Sequence, residues 1–342
     1  MISSGQPGAW ERRPADDPTR RSFLARSLGV TAAAVGLSSG IPLVPGATEQ
    51  PAARAGPLTT AAASTCCALT PDRARAYRYN GSGTSWSKIS GVPITRLFGG
   101  QLGLLATMPP HGDVFRLRMA FENPDGRGAI WDRIGGPGAS FVVTGEGIYG
   151  LTPTRNGVWR YDGTGTSWTQ VGSAASRIFG GTWGLVATDP TTGALFRYLG
   201  SPHRWVQIGV EGATFAVTDE SVYGVTPDHN RLYRYDGHGT SWTRIGDWTG
   251  QLYGGDWGLV STDRGGNVYR YLGSPHSWQH IGGPGASFAV AHDTVYGLNP
   301  WRSGVYRYSG SGTFWTEAGG PADSIVASAR VFASSPGSVH PI

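Results

Sequence analysis

One tryptophan returns on a nearly fixed beat. Trp86, Trp131, Trp168, Trp205, Trp242, Trp278 and Trp315 are separated by 45, 37, 37, 37, 36 and 37 residues. Ahead of each stands an aromatic-Arg-Tyr element: Tyr77-Arg78-Tyr79, Trp159-Arg160-Tyr161, Phe196-Arg197-Tyr198, Tyr233-Arg234-Tyr235, Tyr269-Arg270-Tyr271 and Tyr306-Arg307-Tyr308, with Phe115-Arg116-Leu117 as a decayed copy. The one long interval is explained by the insertion Phe121 to Gly128. A self-similar period of this length marks a repeat architecture and constrains the fold before any single residue is interpreted. Each unit holds four short strand-like runs between glycine-rich turns; in the unit from Trp168 they are Trp168 to Val171, Arg177 to Phe179, Gly184 to Thr188 and Ala194 to Tyr198. Four strands per repeat is the arithmetic of a propeller blade.

The ends decide between a ring and an open solenoid, which would need capping repeats. Cys66 to Pro71 and Tyr77-Arg78-Tyr79 read as an outer strand with part of its neighbour. Trp315 to Ala318, Ser324 to Ala327 and Val331 to Ser334 read as three strands lacking the outer one. The sequence therefore predicts an all-β, seven-bladed β-propeller of four-stranded antiparallel blades over residues 66–336, with 337–342 as a tail. The N-terminal outer strand completes the C-terminal blade, and the tryptophan strand is the innermost of each blade. Such closure removes the sheet edges that invite aggregation.

Composition agrees. Glycine is 54 of 342 residues, without collagen's three-residue period. The chain also carries 13 Trp and 14 Tyr, which a disordered chain lacks. Helices avoid so much glycine. Two cysteines, adjacent at Cys66 and Cys67, exclude a disulfide scaffold and a multi-cysteine metal centre; one buried strand residue and one free thiol are expected. After residue 65 the chain holds 22 basic and 19 acidic side chains, and no basic run exceeds two residues, so no nucleic-acid partner is expected.

Thr19-Arg20-Arg21-Ser22-Phe23-Leu24, followed by a modest apolar run from Leu28 to Leu37, resembles the bacterial twin-arginine export signal. The resemblance implies a signal peptide over 1–55, a linker over 56–65 and a secreted product. The apolar run is too short for a membrane span.

Trp131-Asp-Arg-Ile-Gly-Gly136, Tyr149-Gly-Leu151 and Val158-Trp-Arg-Tyr161 recur as Trp278-Gln-His-Ile-Gly-Gly283, Tyr296-Gly-Leu298 and Val305-Tyr-Arg-Tyr308. This unit resembles the tectonin repeat of tachylectin-type and fish-egg lectins, and the likeness covers nearly everything after residue 66. It implies recognition of carbohydrate, often of bacterial surface sugars, at shallow sites repeated around the ring; other tectonin-type proteins make protein contacts.

Residues common to every blade read as packing. Positions that change from blade to blade carry more information, and the blades alternate in kind. One kind enters its tryptophan through Gly-x-Gly-Thr-Ser-Trp, the other through Leu-Gly-Ser-Pro-His-x-Trp. Fifteen residues past the tryptophan stand Glu146, Trp183, Glu220, Trp257, Asp293 and Arg330, an aromatic alternating with an acid. Antiparallel alternation puts that turn and the Ser-Pro-His turn on one face. His203 is therefore expected beside Trp183 and Glu220, and His276 beside Trp257 and Asp293. Aromatic, imidazole and carboxylate suit a sugar's apolar face and hydroxyls. No catalytic constellation, metal set or cofactor motif stands out: the histidines are isolated, no Gly-x-Ser-x-Gly occurs, and the Asp-box of sialidases is missed by one residue. The expected activity is multivalent glycan binding, with a protein-interaction or surface-structural propeller as the alternative and a glycan-active hydrolase or lyase behind both.

Overall fold

The computed structural model describes residues 64–119 and 129–329. The expected export signal, residues 56–63 of the expected linker, the insertion after Met119, Arg330, the strand expected at Val331 to Ser334 and the tail lie outside the described residues, whereas Ser64 and Thr65, expected as the linker's end, already belong to a strand. The described chain forms 28 strands in seven four-stranded antiparallel sheets, with no helix among the described residues. The first strands of the sheets pack against one another around the ring. From inside outward, blade four is Arg177–Gly181, Gly184–Thr188, Leu195–Tyr198 and Trp205–Gly209; blades two to seven follow this plan in chain order.

Two expectations need correcting. The tryptophan strand is the outermost of each blade, not the innermost. Its pattern explains why: in Trp205–Gly209 the two residues after the tryptophan are exposed, which a rim strand tolerates, whereas Gly184–Thr188 is buried throughout. Closure consequently runs the other way. The C-terminal Ser324–Ala329 is the inner strand of blade one and pairs along its whole length with Ser64–Leu69, while Ala76–Tyr79 and Trp86–Ser90 complete that blade. The surplus strand at one end does fill the vacancy at the other, but at the axis rather than at the rim.

The seven tryptophans are inter-blade spokes. Each indole N–H donates to a backbone carbonyl in the outer strand of the preceding blade: Trp131 to Ile89 (2.7 Å), Trp168 to Ile134 (2.5 Å), Trp205 to Val171 (2.7 Å), Trp242 to Ile208 (2.6 Å), Trp278 to Ile245 (2.8 Å) and Trp315 to Ile281 (2.6 Å). Trp86 carries the series across the closure to Ala318, at 2.6 Å. In six of the seven contacts a glycine follows that carbonyl residue and the next indole rests on it, so that a Cβ on Gly135 would lie 2.7 Å from Trp168 Nε1; after Ile89 the position is Ser90. Six of the tryptophans also pack at 5.0–5.4 Å against the Tyr closing their own aromatic-Arg-Tyr element, as in Tyr271–Trp278 and Tyr235–Trp242, while the element of Trp131 ends in Leu117.

At the axis a second use of glycine appears. Blades two, four and six end their inner strands in Gly99-Gly100, Gly180-Gly181 and Gly254-Gly255. Each pair wedges between the inner strands of both neighbours. A Cβ on Gly181 or Gly254 would sit 2.5 Å from the Val217 carbonyl oxygen, and one on Gly100 or Gly255 would overlap the carbonyl of Val143 or Val290. No other residue permits backbone to approach backbone this closely. Turn glycines at positive φ, such as Gly163 and Gly237, account for only part of the excess.

Candidate functional site

The turns joining inner to second strands carry the variable tips. Trp183 is half-buried; its backbone N–H donates to Thr218 O (2.9 Å), two residues before Glu220. Trp257 is held in the same way by Ala291 O (3.0 Å), two residues before Asp293. The structure thus joins each tryptophan to the acid-bearing turn of the next blade. One face of each indole is already occupied, however. Arg197 lies 4.0 Å from the Trp183 ring centre and Arg270 3.6 Å from that of Trp257, while Tyr235 and Tyr308 meet the two rings edge-on. In blades two, three, four, six and seven the arginine of the aromatic-Arg element reaches the tip of its own blade's turn. Arg307 pairs with the Asp293 carboxylate at 3.2 Å, whereas Arg160 donates to the backbone carbonyl of Glu146, as Arg116 does to that of Leu102.

The histidines are elsewhere. His203 and His276 are exposed at the third-to-outer turns, with φ of 59° and 60°, and their backbone N–H groups donate to Val171 O and Ile245 O of the preceding blade. His203 borders a hollow of about 260 Å³ with Gly172, Ala175, Thr188, Asp189, Phe196 and Trp205; neither Trp183 nor Glu220 is among its walls. Aromatic, imidazole and carboxylate do meet there, but the aromatics are Trp205 and Phe196 and the carboxylate is Asp189. Three donors from Thr191 and Thr192 hold Asp189 Oδ1 and keep its carboxyl below the usual carboxylate range.

Two further hollows occupy equivalent places in blades three and seven. The first, about 160 Å³, lies between Trp159 and Trp168, over Phe141 and Gly150, with Thr152 at its edge. The second, about 190 Å³, lies between Tyr306 and Trp315, over Phe288 and Gly297, with Asn299 at its edge. Both open beside a Gly-Pro-Gly crossover, Gly136-Pro137-Gly138 or Gly283-Pro284-Gly285. Their floors require glycine, since a Cβ on Gly150 would lie 2.9 Å from the Phe141 ring. Blade five has Val210-Glu211-Gly212 at the crossover, and its Tyr233 and Trp242 are only 2 % and 8 % exposed. Sequence reasoning missed these hollows because it assigned every repeating aromatic to packing. The signal was the twice-occurring Gly-Gly-Pro-Gly-Ala-Ser-Phe, at residues 135–141 and, with the same letters, 282–288.

The axial channel, about 270 Å³, has Asp256 as its one charged lining side chain among the described residues. Asp256 Oδ1 accepts from Gln101 Nε2 (2.9 Å) and Thr182 Oγ1 (2.6 Å), so the residue following each glycine pair meets its counterparts across three blades. No group of three His, Cys, Asp or Glu side chains stands together among the described residues. Cys66 and Cys67 are both buried, so no free thiol reaches solvent; burial pushes Cys67 up to about 12 and Cys66 well above its ordinary value.

No protein-family model and no curated protein sequence matches the chain. Among solved structures it is similar to apo AztD from Citrobacter koseri, at 13% identity over 78% of this chain and 98% of that one, with a TM-score of 0.53. It is also similar to a putative 6-phosphogluconolactonase from Bacteroides uniformis ATCC 8492, at 9% identity over 78% of this chain and 99% of that one, with a TM-score of 0.51. At such identities the likeness speaks to the propeller fold alone.

Proposed function

We propose that this propeller is a multivalent glycan-binding protein whose sites are the aromatic-walled hollows of blades three, four and seven. One observation carries this reading: the same concave slot, with paired aromatics and a polar edge, recurs around the ring. Apolar walls with a few placed polar groups are the usual make-up of a small-ligand site. A pyranose presents an apolar face to such a wall and hydroxyls to Thr152, Asn299, Asp189 and His203. The resemblance to tectonin lectins supports the same reading. Shallow sites bind weakly one at a time and gain avidity on a repeating polysaccharide. The tips at Trp183, Glu220, Trp257 and Asp293 rank second, since a sugar stacking there would have to use the indole face that Arg197 and Arg270 leave open.

A glycan array at high protein density tests this. Trp159→Ala combined with Tyr306→Ala should lower the bound signal roughly tenfold or more through lost avidity, with a smaller loss for Trp183→Ala combined with Trp257→Ala. The reverse ranking moves the site to the tips. If no glycan or cell-wall polymer binds the intact protein at all, the lectin reading is wrong.

A protein-interaction reading has its own observation. Leu199, Leu272 and Phe314 are 47%, 51% and 72% exposed, all in third-to-outer turns, and so share one face of the ring. Export belongs to both readings. Replacing Arg20 and Arg21 together by Lys should leave the full-length chain inside the cell, as immunoblotting of culture supernatant would reveal. Secretion at the wild-type level would exclude the twin-arginine route.

A further inference from the structure

Four tryptophans of the folded chain stand outside the spokes and the aromatic-Arg-Tyr elements: Trp183, Trp248, Trp257 and Trp301. Three are covered by a guanidinium, from Arg197, Arg264 and Arg270. Trp301, among the described residues, has neither cation nor ring against it and is 82% exposed. It occupies the third position of a β-turn in which Arg302 N–H donates to Asn299 O.

The corresponding turns of blades one, three and five hold Asp72, Thr154 and Asp228 at that position. There the acids brace the turn: Asp72 accepts from Thr70 Oγ1 and Ala74 N–H, and Asp228 from Thr226 Oγ1 and Asn230 N–H. In blade seven the bracing has passed to Asn299, whose Oδ1 accepts from Ser303 N–H at 2.8 Å. Position 301 is thereby released from its local task, and a large indole is spread in solvent, where nothing in the fold rewards it. Asn299, two residues earlier, is itself an edge of the blade-seven hollow.

We infer that Trp301 is a second subsite of the blade-seven hollow, so that this blade recognises a glycan chain of at least two linked pyranoses. One unit enters between Tyr306 and Trp315, and its neighbour stacks on the exposed indole. Blade three, with Thr154 in place of Trp301, has the hollow without the extension. This inference rests on the glycan reading above and makes blade seven the chain-length-selective site of the ring.

The test is an array carrying homologous series from mono- to hexasaccharide, probed with the full chain in a Trp159→Ala background that removes the blade-three wall. Signal should rise about fivefold from mono- to disaccharide. Trp301→Ala should flatten that rise without changing the monosaccharide signal, and Trp301→Phe should restore it. A rise that survives Trp301→Ala, or a flat series in the parent, overturns the inference. Loss on Tyr306→Ala with no effect of Trp301→Ala would overturn the second subsite and leave the hollow standing. Absence of any binding across all series and all variants overturns the glycan reading itself.

Discussion

Ending the chain at Gly320 should abolish the folded ring rather than trim it. The residues removed include Ser324–Ala329, which pairs with Ser64–Leu69 through six registered positions from Ser64↔Ala329 to Leu69↔Ser324. Without it blade one has no inner strand, and Cys66 and Leu69, both fully buried, gain an open edge beside them. Ile325 leaves the core shared with Tyr296 and Leu298, and Asp323 leaves its ion pair with Arg73. Gly99 also loses the Ala327 backbone against which blade two is wedged. A buried aliphatic side chain contributes about 1.5–3 kcal/mol, and a domain's whole stability is only about 5–15 kcal/mol. Ile325 is removed while Cys66 and Leu69 are uncovered, so about three such burials are at stake and the loss reaches the lower end of that total; the exposed edge adds an aggregation route. Size-exclusion chromatography should find aggregate, and thermal melting should lose its cooperative transition. A synthetic peptide spanning residues 321–342 should recover part of both. A truncated chain that stays monomeric and melts like the parent would mean that the ring does not depend on this closure.

The repeat, the blade count and the need for a terminal strand exchange were legible because they depend only on periodicity. Radial order was not. The eye assigns the largest aromatic to the deepest place, yet Trp205 begins a strand whose next residues face solvent, while the axis demands residues with no side chain at all. Gly180-Gly181 was visible as a glycine pair, but it signals an inner strand only once seven strands are known to crowd one axis. The expected meeting of His203 with Trp183 failed for a related reason. Alternation correctly put both turns on one face, since an antiparallel meander reverses at each strand. It says nothing of radius, and the Trp183 turn belongs to the inner pair of strands whereas the His203 turn belongs to the outer pair. Arg197 covering Trp183 could have been read from register, because an arginine follows each tip from Glu146 to Asp293 by thirteen or fourteen residues in the blade's third strand. The hollows needed a comparison of crossovers instead, Gly-Pro-Gly against Val-Glu-Gly, because the aromatics recur whether or not a slot opens beside them.

Substituting Gly255 by Ala tests the axis directly. The new methyl would overlap the Val290 carbonyl oxygen and lie 2.9 Å from both the carbonyl carbon and the Cβ of Val290. These are backbone-anchored atoms and cannot rotate aside. Val290 is fixed in turn by its pairing with Val295, so relief requires moving the inner strand of blade seven against its neighbours. Overpacking a tight interior costs about 1–3 kcal/mol, and a clash between two backbones belongs at the upper end. The melting temperature should fall by roughly 5–10 °C, given a few degrees per kcal/mol for a domain of this size. Gly320→Ala is the matched control: nothing lies within 4 Å of its Cβ, so its melting temperature should stay within about 2 °C of the parent. The shift should also reach Asp256, the next residue, whose hydrogen bonds to Gln101 and Thr182 depend on where Gly255 leaves the backbone. If Gly255→Ala melts with Gly320→Ala, the glycine pairs are not what allows the seven inner strands to close, and the axis must have slack that these contacts deny.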